Sequence, residues 1–161
     1  MATSTPTLSS CQSGGKPSRV LGGYRRYTGG MKIIKIRTHQ RDEIQDITPL
    51  LQDFVTKSGQ ESGLLSVFCP HTTAAVSVNE NADPDVKRDI LYHLKKSIPQ
   101  SPEFKHNEDN ADAHIKSVLT GVTQMLIVEK GRICLGIWQG VYFLEFDGPR
   151  EREVWLKLLP G

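Results

Sequence analysis

Cysteine is scarce, and what little there is follows no pattern. Cys11, Cys69 and Cys134 are odd in number and share no CxxC spacing, which argues against a disulfide-stapled scaffold or a thiolate zinc cluster and fits a reducing compartment. No apolar run approaches the roughly 20 residues that a membrane helix needs. The sequence therefore reads as a soluble, cytoplasmic protein with no membrane partner. A glycine-rich phosphate loop is also missing. Gly22-Gly23 and Gly29-Gly30 match neither Walker nor Rossmann spacing, so nucleotide binding has no support. The formal net charge is only +2, without the strong field of a nucleic-acid binder. Acidic residues are absent from positions 1–30, where Ser, Thr and Gly dominate and Lys16, Arg19, Arg25 and Arg26 are basic. Such a segment buries too little apolar surface to offset its ordering entropy. Residues 1–30 thus read as a disordered basic leader: an organelle-targeting peptide, a start placed too early, or a basic arm.

From Met31 onward the pattern becomes regular, and 161 residues at 37% hydrophobic content suffice for one domain over residues 31–161. Met31–Arg37 reads as a first strand, isoleucine-rich with interleaved Lys32, Lys35 and Arg37. Thr48-Pro49 opens a helix that carries Ile47, Leu50, Leu51, Phe54 and Val55 at helical spacing and ends at Gly59. Residues 64–69 and 73–78 are strands broken at Pro70-His71. Asp83 caps a second helix with Pro84 at its start, and Val86, Ile90, Leu91 and Leu94 form its buried stripe. A third helix over residues 111–119 places Ile115, Val118 and Leu119 on its apolar side and stops at Gly121. Residues 122–129 and 132–138 flank Lys130-Gly131, a hairpin connection, and 141–146 and 151–158 complete the strands. The order predicts an α+β fold, mainly antiparallel, with about three inserted helices. The run Val141-Tyr142-Phe143-Leu144 is apolar on both faces, so that strand needs two covers, the second expected from an oligomer.

Chemistry-bearing residues concentrate in residues 104–116, where His106, Glu108, Asp109, Asp112 and His114 lie within a short reach. Imidazole and carboxylate are common ligands of zinc and similar divalent ions, and the segment reads as half of a metal site. His71, at the bend Cys69-Pro70-His71-Thr72-Thr73, would close it. The plainer reading makes these histidines caps or surface groups. Cys69 and His71 together do not read as a cysteine-hydrolase pair, because Pro70 interrupts the strand alternation between them, and Cys69 is expected to be a buried structural thiol.

Three separated blocks carry a resemblance. They are His71-Thr72-Thr73-Ala74-Ala75 running into Asn79-Glu80-Asn81-Ala82-Asp83-Pro84, His106 with Asn110-Ala111-Asp112-Ala113-His114-Ile115-Lys116, and Leu135-Gly136-Ile137-Trp138-Gln139-Gly140-Val141-Tyr142 ahead of Glu145-Phe146-Asp147-Gly148-Pro149-Arg150. Together they resemble the YjbQ-like family, whose members are associated with a secondary thiamine-phosphate synthase activity. The resemblance implies a β-sandwich with inserted helices that forms a homotrimer through its sheets, and a histidine cluster able to hold a metal. On that basis His71, His106 and His114 are the expected ligands of a divalent ion such as zinc, with an open position for water or substrate. The implied reaction joins a pyrimidine diphosphate to a thiazole phosphate with release of diphosphate. A non-catalytic trimer binding metal or a small anion is the alternative.

The other block residues each have two readings. Glu80 is a candidate general base or an ordinary carboxylate before a helix. Asp112 is a candidate partner orienting an imidazole. Asn79 and Asn81 either meet ligand or stabilise a turn, and Thr72 either donates to phosphate or simply favours strand. Trp138 and Gln139 suit a pocket wall as well as a strand end. Arg150 and Arg152 either clamp a small phosphorylated ligand or lie solvated.

Overall fold

The computed structural model describes residues 30–161, so all but the last residue of the expected leader falls outside the described residues. The strands are β1 (Met31–Arg37), β2 (Glu43–Asp46), β3 (Ser62–Phe68), β4 (Ala74–Glu80), β5 (Thr123–Glu129), β6 (Arg132–Ile133), β7 (Gln139–Glu145) and β8 (Glu151–Pro160). Three helices interrupt them: α1 (Thr48–Ser58), α2 (Pro84–Ser97) and α3 (Ala111–Thr120). Every strand pairing is antiparallel, in a five-stranded sheet of order β1-β8-β3-β5-β6 and a three-stranded sheet of order β2-β7-β4. The described residues are therefore α+β, with three helices and antiparallel sheets.

Local chemistry explains most boundaries. Pro49 supplies the fixed φ of the first turn of α1, and Gly59 closes that helix in the left-handed region at φ 67°. Thr48 does not cap through its hydroxyl, which instead accepts from the Val141 N–H at 2.8 Å and ties the helix start to β7. Asp83 does cap α2, accepting from the Asp85 N–H at 2.8 Å. The β5–β6 hairpin turns through Lys130 and Gly131, both at positive φ, as its two-residue connection requires. β6 is two residues long rather than reaching Trp138, because residues 134–138 leave the sheet. β2 was not anticipated: its sequence EIQD is short and polar, and only pairing with β7 makes it a strand.

One core draws on residues of both sheets and on Leu51 and Val55 of α1. It includes Leu65 and Val67 of β3, Val154 and Leu156 of β8, and Val76 and Phe143 from the other sheet. The opposite face of β7 builds a second cluster, in which Tyr142, Leu144 and Phe146 pack with Ala75 and Ala113, flanked by Ile90 and Leu94 of α2. Burying each large apolar side chain contributes on the order of 2 kcal/mol, so β7 anchors both sides. The expectation that an oligomer covers the second face of this strand is thereby corrected. Helices α2 and α3 of the same chain cover it.

α3 carries a further correction. Ile115, Val118 and Leu119, expected to face the core, are exposed, whereas Asp112, Ala113, Lys116 and Ser117 are buried. The inward stripe is mostly polar: Asp112 and Lys116 are held by ion pairs and Ser117 by donating to the Ala74 carbonyl, with Ala113 the apolar contact. The outer face of the five-stranded sheet is also uncovered, with Ile33, Leu64, Met125, Ile127 and Leu159 exposed. Strand register places Leu64 opposite both Ile127 and Leu159. Among the described residues no helix is long and apolar enough to cross a membrane.

Candidate functional site

After β3 the chain bends through Cys69 and Pro70, and α3 packs beside the bend. Between them lies a depression of about 420 Å³ whose wall includes Phe68, Pro70, His71, Thr72, His114 and Val118. His71 is half-buried, and its Nε2 accepts from the backbone N–H of Glu153 at 2.8 Å. Burial, reinforced by the nearby Arg152 guanidinium, pushes its pKa below the ordinary histidine value. A neutral ring whose Nε2 accepts carries its proton on Nδ1, so His71 is left with one N–H to donate. Thr72 is exposed beside it. The His114 and His106 rings meet in a T-shaped contact, with centroids 5.0 Å apart. His106 in turn lines a neighbouring depression of about 390 Å³ with Phe104, Asp109 and Asp112.

The three histidines are thus neighbours in series, yet they do not converge. Among the described residues no group of three or more His, Cys, Asp or Glu side chains is placed to hold an ion. This corrects the expectation of zinc or another divalent metal on His71, His106 and His114. The physical reason is orientation: the His71 Nε2 is used by the Glu153 N–H, and the His106 and His114 rings meet at 89° while the His106 Nε2 lies 4.0 Å from Glu108. The residues do not fit a metal, and no chemistry is routed through one.

Beneath the depressions runs a buried ionic network that the sequence reading did not anticipate. Asp112, expected to orient an imidazole, instead accepts from Arg41 Nη2 at 3.0 Å and from Lys116 Nζ at 2.9 Å. Lys116, itself buried, also donates to Asp42 at 3.1 Å. Asp147 accepts from Asn110 Nδ2 at 2.9 Å and from Arg150 Nη2 at 2.6 Å. Arg150 is half exposed and held by this pair. Arg152, expected as a possible phosphate clamp, is buried against Glu145 and donates to Thr73 Oγ1 at 2.8 Å. The only hint in sequence was the appearance of Glu145 and Arg152 at inward positions of otherwise apolar strands. Such charges are retained in a core only when paired. Cys69 is buried nearby, and burial pushes its thiol up to about 11, which agrees with a structural role.

The remaining candidates lie at the other end of the β4–β7 pair. Asn79 accepts from the Glu80 N–H through its own Oδ1 at 2.7 Å. Asn81 donates to Asp46 at 2.8 Å, and its backbone N–H donates to the Trp138 carbonyl at 2.7 Å. Gln139 Oε1 accepts from the Gly136 N–H at 2.8 Å, and the Tyr142 hydroxyl donates to the Glu80 carbonyl. Register pairs Glu80 with Gln139 and Ala74 with Glu145. At about 3.3 Å per residue, the two ends are roughly 20 Å apart. Within one chain Glu80, Asn79, Asn81, Trp138 and Gln139 therefore do not join His71, Thr72 and His114.

An antiparallel α+β domain with a histidine-lined depression over a buried ion network is the class these features define. Residues 32–161 match the model of the UPF0047 protein YjbQ-like family, and the chain belongs to that family. It is 47% identical over 130 residues to the UPF0047 protein YugU of Bacillus subtilis, covering 80% of this chain and 98% of that one. A UPF0047 protein of Methanocaldococcus jannaschii is 46% identical over 125 residues, which span 78% of this chain and 91% of the relative. Among solved structures, an uncharacterized YjbQ/UPF0047 family protein of Clostridium acetobutylicum superposes with TM-score 0.78 at 49% identity, covering 80% and 99% of the two chains. A YbjQ-like protein of unknown function from Sulfolobus solfataricus gives 0.77 at 34% identity, covering 81% and 96%. These descriptions name a family of unknown function and carry no thiamine chemistry. The expectation of a metal-dependent thiamine-phosphate synthase is corrected accordingly.

Proposed function

We propose that the chain is the subunit of a homotrimer that binds a small phosphorylated ligand in the depression between the bend at residues 69–73 and α3. The observation that carries this reading is His71, whose engaged Nε2 leaves an Nδ1–H donor beside the Thr72 hydroxyl on the wall of a depression with apolar flanks. A phosphate oxygen accepts such donors with a charge-assisted bond. Phe68, Val118 and Val122 offer contact to the organic part of the ligand. The uncovered apolar face of the five-stranded sheet, with Leu64, Met125 and Ile127 exposed, supports assembly, since a monomer gains nothing by leaving such a patch wet.

Titration calorimetry with phenyl phosphate and with inorganic phosphate tests the ligand reading. Phenyl phosphate is expected to bind more tightly, and Thr72→Val and His71→Ala each to weaken it by about tenfold. Wild-type protein that takes up neither compound at millimolar concentration overturns it. Sedimentation of the wild type tests the assembly: a stable monomer at micromolar concentration overturns the trimer.

A further inference from the structure

The depression beside His71 is walled without a carboxylate, guanidinium or ammonium group: among the described residues that line it, none is Asp, Glu, Arg or Lys. The Ser117 hydroxyl on that wall is engaged by donating to the Ala74 carbonyl at 2.7 Å. The cations packed beneath are already matched, Arg152 by Glu145, Lys116 by Asp42 and Asp112, and Arg41 by Asp112. The charges that act on His71 itself are one guanidinium, Arg152, and two carboxylates, Glu145 and Glu153, so the net surrounding charge is negative. Burial and Arg152 hold the His71 ring neutral above its lowered pKa, and it adds no positive charge there.

We infer that the group held between His71 and α3 carries a single negative charge, and that the ligand is a phosphodiester rather than a phosphomonoester dianion. This rests on the ligand reading above and narrows its chemical class. Two neutral donors, the His71 Nδ1–H and the Thr72 hydroxyl, can hold one charge spread over phosphate oxygens through charge-assisted bonds. A second charge on the same oxygens finds no cation to meet it. The cost of taking an ion out of water grows with the square of its charge, and Arg152 is neutralised by its own partner Glu145, which leaves the Glu153 carboxylate opposing the dianion. A diester also carries two organic substituents. The wall offers two apolar surfaces for them, Phe68 and Val122 at the strand ends and Val118 on α3, around a volume of about 420 Å³, which is within the usual range of small-molecule sites.

Titration calorimetry on the full chain at about pH 8, where a phosphomonoester with its second pKa of about 6 is a dianion, compares methyl phenyl phosphate, phenyl sulfate and phenyl phosphate. Both singly charged probes are expected to bind about tenfold more tightly than phenyl phosphate, and methyl phenyl phosphate at least as tightly as phenyl sulfate. Phenyl phosphate that binds as tightly as the singly charged probes overturns the inference and leaves the ligand reading standing. Phenyl sulfate bound in clear preference to methyl phenyl phosphate overturns the diester. If none of the three binds, the reading on which the inference rests is lost as well. Val118 gives an independent arm, because it is 80% exposed on the rim and a cation placed there leaves the core intact. Val118→Arg is expected to raise the affinity for phenyl phosphate by about fivefold, and Val118→Gln to leave it unchanged. An arginine that does not narrow the gap between the dianion and the singly charged probes contradicts the charge account.

Discussion

Arg152 and Glu145 meet as a two-pronged pair inside the domain, with Nε 2.6 Å from one carboxylate oxygen and Nη2 2.5 Å from the other. Glu145 is wholly buried and also accepts from the backbone N–H groups of Phe146 and Asp147 and from the Thr38 hydroxyl. Thus the end of β7, the start of β8 and the end of β1 are joined through one carboxylate.

Arg152→Met strands that carboxylate without its cation. Breaking one side of a buried pair typically costs about 3–5 kcal/mol, so urea denaturation should show a loss of that size with an unchanged slope. A loss below about 1 kcal/mol would mean that solvent reaches Glu145.

His71 makes stability depend on pH. Its pKa is lowered by burial and by Arg152, so the folded chain binds fewer protons than the unfolded chain just below the ordinary value of 6.5. The stability contributed by the neutral ring is complete above the unfolded value and is lost as pH falls through the folded one. The ring proton resonances of His71 should titrate below the free-histidine midpoint, and His71→Gln should flatten the acid side of the stability profile. A midpoint at or above the free value contradicts the burial account.

Charge placed on the two kinds of apolar surface should have different effects. Phe143 is buried in the shared core, so Phe143→Lys is expected to unfold the chain, costing at least about 4 kcal/mol. Met125 lies on the uncovered sheet face. Met125→Lys should leave a folded subunit and shift only the sedimentation profile. Equal loss of fold in both would refute the distinction.

Thiol labelling separates Cys69 from Cys134. Cys69 is buried with its pKa raised to about 11, whereas Cys134 is exposed. Iodoacetamide at mildly alkaline pH should modify Cys134 in the native protein and reach Cys69 only in denaturant, as peptide mass mapping would show.

What was legible in the sequence follows the range of the forces involved. Pro49, Gly59, Asp83 and Lys130-Gly131 act within a few residues, and the elements they bound appear where local rules place them. The apolar run of β7 correctly signalled two covers, but nothing local could say that α2 and α3 supply the second. α3 misled for a related reason. Its inward stripe is set by Arg41 and Lys116 meeting Asp112 and by Asp42 meeting Lys116, partners brought together from as far as 74 residues apart. The neighbourhood of His71, His106 and His114 was legible from their blocks. The orientation of the rings was not, because the bond from the Glu153 N–H to His71 crosses 82 residues.

The position of β7 bears on how the domain opens. Its alternate side chains belong to both hydrophobic clusters, and its backbone pairs with β2 and β4 on either side. Neither cluster can therefore loosen while the other stays intact. Amide hydrogens of Val141 to Leu144 should exchange with solvent only through whole-domain opening, and at one common free energy. The helices that cover this strand should then lose protection together with the sheet rather than peel away before it.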